Sequence, residues 1–262
     1  LSTIGVFDSG IGGLSILNEA LIQSPGHHYI YLADSANAPY GEKSTQWVTD
    51  RSLLMCSWLA SRGCDAIVVA CNTATAQAIS LIRQELTHVP IIGVEPGIKP
   101  AALKSKSKMI GVLATQNTLM SDKFKQLLAS LISDCEFIQQ AGNGLVPLIE
   151  KGVLEGPHIE ALLHQYIDPM LAQGADTIVL GCTHYPFLHT SIQKLYGDEL
   201  DIIDTSQAIV RQMRRLIKDP DSDSVGRIDV YSTQDGAALL GLAQKLLGHA
   251  DLHTACAHTV TM

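Results

Sequence analysis

Residues 176–186 read DTIVLGCTHYP. A short run rich in β-branched residues ends at a glycine, and a thiol and an imidazole follow at once. Such a run, without polar alternation, is the pattern of a strand buried on both faces of a parallel sheet. The pattern recurs. DAIVVACNT at 65–73 matches DTIVLGCTH at 176–184, an offset of 111 residues. IGVFDSG at 4–10 matches IGVLATQ at 110–116, an offset of 106, and PIIGVEP at 90–96 resembles DIIDTSQ at 201–207, again 111 residues on. Buried strands resemble one another, so converged composition is the alternative for any single match. Three matches in one order predict an α/β unit used twice, with a spacing too long for a solenoid.

Working outward, TIGVFDS (3–9), HHYIYLAD (27–34), CDAIVVAC (64–71), VPIIGVEPG (89–97), SKMIGVLAT (107–115), ADTIVLGC (175–182) and LDIIDT (200–205) all read as short apolar strands. Amphipathic stretches at 44–62, 74–87, 118–132 and 158–173 lie between them. The alternation predicts an α/β fold: two pseudo-symmetric doubly wound domains, mainly parallel sheets, and an active site in the cleft between them. The expected domains are 1–95 plus 206–262, and 96–205. RIDVYST (227–233) and QDGAALLGLAQKLLG (234–248) would be the last strand and helix of the first domain, with Gly248 as the helix stop. The polar stretch KDPDSDSVGR (218–227) is expected to be an exposed loop without function.

Composition bounds the function. The chain has 262 residues, 46% hydrophobic and 17% charged, with a formal net charge of -8. That charge argues against nucleic acid or an anionic membrane as partner, because phosphate neutralisation needs clustered Lys and Arg. No apolar run reaches membrane-spanning length. The first strand-like segment opens near the first residue, so no signal peptide is expected ahead of it. Six cysteines, none spaced as CxxC, read as reduced thiols of a cytoplasmic protein. Cys56, Cys64, Cys135 and Cys256 are expected to be small core filler. A small-molecule ligand is the expected partner, and a homodimer is the assembly considered.

In parallel α/β folds ligands sit beyond the carboxyl ends of the strands. The residues there include Asp8-Ser9, Asp34, Cys71-Asn72-Thr73, Glu95, Ala114-Thr115, Cys182-Thr183-His184 and Asp204. The repeat makes Cys71 the counterpart of Cys182. Two thiols can form a redox pair, bind a metal or work separately. A metal would need further soft ligands, and the Cys182–His184 spacing fits no familiar zinc pattern. A disulfide would need Cα atoms within about 7 Å. The third use is proton exchange on opposite faces of one carbon. A free thiol titrates near about 8.5, so local electrostatics can hold one group as thiolate and the other as thiol. Helix N-termini expected after each cysteine would favour the anion. His184 and Asp8 are placed to tune or relay the proton. A structural histidine at a helix start is the alternative for His184, and an N-cap of the helix from Gly13 is the alternative for Asp8. Ser9, Asn72, Thr73, Thr115, Asn117 and Thr183 offer hydroxyl and amide partners for an anion.

FDSGIGGLSIL (7–17), LADSANAPYG (32–41), VVACNTATA (68–76) and LGCTHYPFL (180–188), with the closing YSTQDGAALLGLAQKLLG (231–248), resemble the glutamate racemases of the cofactor-independent aspartate/glutamate racemase superfamily. The likeness covers nearly the whole chain, in order. It implies two pseudo-symmetric α/β domains with the substrate in the cleft. It implies interconversion of L- and D-glutamate without cofactor or metal, which in bacteria supplies D-glutamate for peptidoglycan. Carried over by motif, Cys71 would deprotonate D-glutamate and Cys182 L-glutamate, with Asp8 and His184 as auxiliary acid/base groups. Substrate contacts would fall on Asp8, Ser9, Tyr40, Gly41, Asn72, Thr73, Thr183 and His184, with Thr115 a further candidate. Glu150, in LVPLIEKG (145–152), matches an acidic residue of the family, although QAGNG (140–144) lacks the Cys-Pro usual before it.

Five other readings compete with this one. GIGG at 10–13 with Asp34 outlines a dinucleotide site, but Ser15 holds the third glycine position and Asp8 would repel a pyrophosphate. No lysine stands in a Schiff-base context for pyridoxal chemistry. An aspartate racemase differs only in pocket shape. A Cys-His hydrolase would need one thiol, and an amino-acid binding protein neither.

Overall fold

The computed structural model describes residues 1–131, 135–218, 226–247, 252–253 and 255–262. The chain divides into two compact units, Leu1–Val94 with Ser206–Met262, and Glu95–Thr205. It opens with β1 (Thr3–Asp8), α1 (Leu14–Gln23), β2 (His28–Ala33), α2 (Thr45–Ser61), β3 (Ala66–Val69), α3 (Asn72–Glu85) and β4 (Ile91–Gly93). The second unit holds α4 (Ile98–Lys104), β5 (Met109–Ala114), α5 (Gln116–Met120), α6 (Asp122–Ala129), β6 (Glu136–Ala141), α7 (Leu145–Glu150), α8 (Pro157–Ala172), β7 (Thr177–Gly181), α9 (His189–Tyr196) and β8 (Asp201–Ile203). The chain then returns with α10 (Ser206–Arg214), β9 (Arg227–Ser232), α11 (Gly236–Leu247) and β10 (Cys256–Thr259).

In the first unit six strands run in the order β10-β9-β2-β1-β3-β4, every pair parallel. Strands β1 and β3 are buried almost throughout, as unbroken apolar runs covered on both faces require. Phe7, Leu32, Val69, Met55, Leu59, Ile79 and Ile82 belong to one buried cluster between sheet and helices. Helix α2 begins where Ser44 accepts a hydrogen bond from the Trp47 amide, a side-chain N-cap.

In the second unit four parallel strands run β6-β5-β7-β8. Ile98, Ile110, Val112, Phe124, Leu128 and Val179 form its core. Its strand order repeats β2-β1-β3-β4, and the register repeats with it. Ile4 pairs with Ala66 and Ile110 with Thr177; Ile67 pairs with Ile91 and Ile178 with Ile202. Those pairs are related by the sequence offsets of 106 and 111. The likeness reaches the opposite ends of the strands. Asp65 accepts from the Thr3 amide at 2.8 Å, and Asp176 accepts from the amides of Lys106 and Ser107 at 2.8 and 2.7 Å.

Two strands, β6 and β10, have no counterpart among the expected ones. Both lie at sheet edges and are mostly exposed or half-buried, so neither needs an apolar run. The helical stretch expected over 118–132 is two helices, and residue 132 lies outside the described residues. Ser121 breaks it in extended conformation (φ −65°, ψ 143°), its hydroxyl donating to the Thr118 carbonyl and accepting from the Phe124 amide. Serine competes for backbone partners and so favours a cap over a helix interior. The expected stop at Gly248 and residues 219–225 of the polar stretch lie outside the described residues.

Candidate active site

Strand β3 hands the chain to Cys71, the N-cap of α3. The Ala74 amide donates to its sulfur at 3.5 Å, and the thiol donates to Ser9 Oγ at 3.7 Å. A free helical N–H thus points at the sulfur, where negative charge would be stabilised. Cys71 is 5% exposed. Asn72 and Thr73, the next two residues, are also buried. The Asn72 side-chain amide donates to the Val94 carbonyl at 3.3 Å and so ties the start of α3 to the end of β4.

Asp8 ends β1, fully buried. Its carboxylate accepts from the Gly10 amide at 2.8 Å, and its carbonyl accepts from the Asp34 amide at 3.0 Å. The N-cap of α1 is Gly13, with no side-chain capping bond. Asp8 therefore orders the turn that leads into α1. Gly13 is needed for close approach, because a Cβ there would stand 2.8 Å from Asp8 Cβ and 3.0 Å from Ala70 Cβ.

Tyr40, 1% exposed, opens a 3-10 turn over Tyr40–Glu42. Its hydroxyl donates to Asp34 Oδ2 at 2.6 Å, so its proton is committed within the protein. Asp34 also accepts from both Nε and Nη2 of Arg51 at 2.8 Å, and from Asn37 and Thr233 at 2.9 Å. Burial pushes its carboxyl up, but these donors outweigh burial and hold it below its ordinary value. A carboxylate so occupied has no oxygen left to grip a ribose.

In the second unit Cys182 follows β7 and is 6% exposed. Its sulfur lies 3.7 Å from His184 Nδ1, and His184 Nε2 lies 2.5 Å from Glu150 Oε1. A buried thiol, imidazole and carboxylate stand in a row. Burial pulls His184 down, but its hydrogen bonds to Cys182 and Glu150, and the charge of both, raise it well above its ordinary value. Glu150 ends α7, where the helix dipole disfavours a carboxylate, and a cationic imidazole offsets that. QAGNG provides the geometry without Cys-Pro. Gly144 turns left-handed (φ +82°) to start α7, and a side chain at Gly142 would collide with the Tyr185 hydroxyl, which donates to the Gly142 carbonyl at 3.2 Å.

The helix expected straight after Cys182 is instead a 3-10 turn at Tyr185–Leu188, followed by α9. Pro186 lacks an N–H and disfavours helical backbone at Tyr185, so the α-helix starts later. His184 precedes this turn without a capping bond from its side chain. Thr183 is buried beside it. Thr115 caps α5, accepting from the Thr118 amide at 3.3 Å.

The structure thus brings Cys71 to Ser9, and Cys182 to His184 and Glu150. It gives the Tyr40 hydroxyl and the Thr115 side chain internal partners. Arg51 is a residue that sequence reading missed. It sits in an amphipathic helix, where one arginine looks like any solvent-facing one. Among the described residues no group of three or more His, Cys, Asp or Glu side chains could hold a metal ion. Cys56, buried and pushed up by burial, and Cys64, pushed up to about 12 chiefly by burial, are packing thiols, and Cys135 is buried too, but Cys256 starts the edge strand β10 exposed and is not the core filler expected.

Known proteins share this arrangement of chain. A glutamate racemase of Ralstonia pickettii (strain 12J) is 49% identical over 252 residues, covering 95% of this chain and 89% of that protein. Among solved structures, a glutamate racemase isoform from Bacillus anthracis superposes with a TM-score of 0.88 at 28% identity, covering 100% of this chain and 98% of that one. Escherichia coli glutamate racemase, solved with L-glutamate and the activator UDP-MurNAc-ala, gives 0.82 at 30% identity, covering 94% and 95%. The sequence model described as Asp/Glu/Hydantoin racemase matches residues 12–213. With Cys71 and Cys182 inside that span, each closing a strand of a register-matched pair, the chain belongs to the Asp/Glu/hydantoin racemase family.

Proposed function

We propose that this chain is a cofactor-independent glutamate racemase that supplies D-glutamate for peptidoglycan. The observation that carries the reading is the pair of buried thiols at equivalent strand ends, Cys71 and Cys182. On this reading both thiols act on the same glutamate Cα, one from each face. Working on L-glutamate, the Cys182 thiolate takes the α-proton, the electron pair passes into the α-carboxylate, and the Cys71 thiol returns a proton to the opposite face. Cys71 is then the thiolate that starts the reverse reaction. The α-hydrogen is very weakly acidic, so hydrogen bonds to the α-carboxylate must strengthen as charge develops there. Ser9, Asn72, Thr73, Thr183 and the Tyr40-Gly41 backbone supply them, with Thr115 at the margin. Asp8 assists Cys71, and His184, held by Glu150, assists Cys182.

All six cysteines are free, which suits the reducing cytoplasm, and no described helix is long and apolar enough to cross a membrane. A homodimer belongs to the same reading. The decisive experiment incubates the protein with L-glutamate, and separately L-aspartate, in deuterated water without cofactor. Deuterium at Cα and loss of optical activity with glutamate are expected. Exchange with aspartate in preference to glutamate would reassign the substrate, and exchange with neither would end the racemase reading.

A further inference from the structure

Asp34 and Arg51 lie outside the groups proposed to touch substrate, yet two of those groups converge on them. Asp34 is fully buried and Arg51 nearly so, with side chains 0% and 13% exposed. Five hydrogen bonds reach the Asp34 carboxylate, from Arg51 Nε and Nη2, Tyr40, Asn37 and Thr233. They come from α2, from both 3-10 turns after β2, and from the loop after β9. The Asp34 amide meanwhile donates to the carbonyl of Asp8. One residue therefore holds the phenol of Tyr40 with its carboxylate and the end of β1 with its main-chain amide. The Tyr40 ring packs edge-on against Trp47 at 5.2 Å and tilted against Phe7 at 6.2 Å, so the aromatic contacts alone leave the hydroxyl end to be set by Asp34.

Removing one partner of such a buried pair costs stability, because it strands the other charge. A buried ion pair is often replaceable by apolar packing without loss. What a bidentate guanidinium–carboxylate pair gives is a fixed plane and fixed donor directions. Here those directions are set beside the Tyr40-Gly41 backbone, and small displacements of positioning groups cost large factors in rate or binding.

We infer that Arg51 and Asp34 are positioning residues for substrate binding, holding the Tyr40-Gly41 segment and the end of β1 in register. The inference rests on the racemase reading. The hydrogen bonds of Arg51 go to Asp34 and to the Met262 carbonyl, not to a thiol, so the effect falls on binding before chemistry. Tyr40→Phe keeps the ring and removes the hydroxyl that donates to Asp34. Arg51→Met removes the fork, and Arg51→Lys keeps the charge without the fork.

The test measures kcat and KM for both enantiomers, with thermal unfolding alongside. Tyr40→Phe and Arg51→Met should raise KM about tenfold for each enantiomer with kcat within about twofold, and Arg51→Lys should recover part of the loss. If Arg51→Met does not fold, Tyr40→Phe decides the matter. Folded variants with lowered melting temperature but wild-type KM and kcat would make the network purely structural and overturn the inference alone. A wild-type protein inert towards both glutamate enantiomers would overturn the racemase reading, and this inference with it.

Discussion

The ends of β3 and β7 occupy the same position in a duplicated sheet, yet their thiols keep different company. Cys71 caps a helix directly, with the Ala74 amide on its sulfur and a hydroxyl, Ser9, as its side-chain neighbour. Cys182 has no α-helix at its back. Its neighbour is an imidazole, and behind the imidazole stands a carboxylate. The backbone repeats and the chemistry around each sulfur does not. In the first unit negative charge at the sulfur is met by a fixed dipole. In the second it is met by a group that itself carries a proton.

The largest effects should break the comparison outright. Cys71→Ser and Cys182→Ser should each lower turnover by about a thousandfold or more, measured as deuterium exchange at Cα. A single variant that racemises normally would show that its sulfur is not one of two bases.

Next come the auxiliary groups, which sharpen the comparison. His184→Asn and Asp8→Asn should each cost about a hundredfold in kcat. Because the two enantiomers are equal in free energy, kcat/KM must fall alike in both directions, and the asymmetry has to be sought elsewhere. With α-deuterated substrates, if Cys182 takes the proton of L-glutamate, His184→Asn should raise the isotope effect on L-glutamate and leave that on D-glutamate smaller. Equal isotope effects in both directions would detach His184 from Cys182.

Glu150→Gln should act more mildly, by about tenfold in kcat, and should carry a pH signature. The folded-state value of His184 is raised, so the charged imidazole favours folding. That contribution is complete below the unfolded value near about 6.5 and fades as pH rises through the higher folded value. The melting-temperature gap between wild type and Glu150→Gln should therefore be widest in mild acid and narrow with rising pH. A gap that widens towards alkaline pH would remove Glu150 as the partner of an imidazolium.

The α/β architecture was legible because buried parallel strands are apolar throughout. All eight strands read from such runs are present, from β1 to β9 with β6 excepted. Edge strands β6 and β10 escaped because exposure on one side removes that signal. The helix after Cys71 was legible; the one after Cys182 was misread, since symmetry was given more weight than Pro186. Among the candidate site residues, motifs single out Asp8, Cys71, Cys182 and His184. They do not say that the Tyr40 hydroxyl turns to Asp34 or that Arg51 meets it, because a side-chain network spanning α2, two turns and the β9 loop leaves no local periodicity.

The pairing of β2 with β9 has a consequence for how the protein is made. His28 sits opposite Arg227, with the whole second unit between them along the chain. While the ribosome is still synthesising that unit, the β2 edge has no neighbour on that side, and its unpaired amides and carbonyls are open to the wrong strand. Residues 95–205, whose four strands are consecutive, have all their partners as soon as they emerge. The middle of the gene product is thus equipped to finish first, and its two ends must wait for each other.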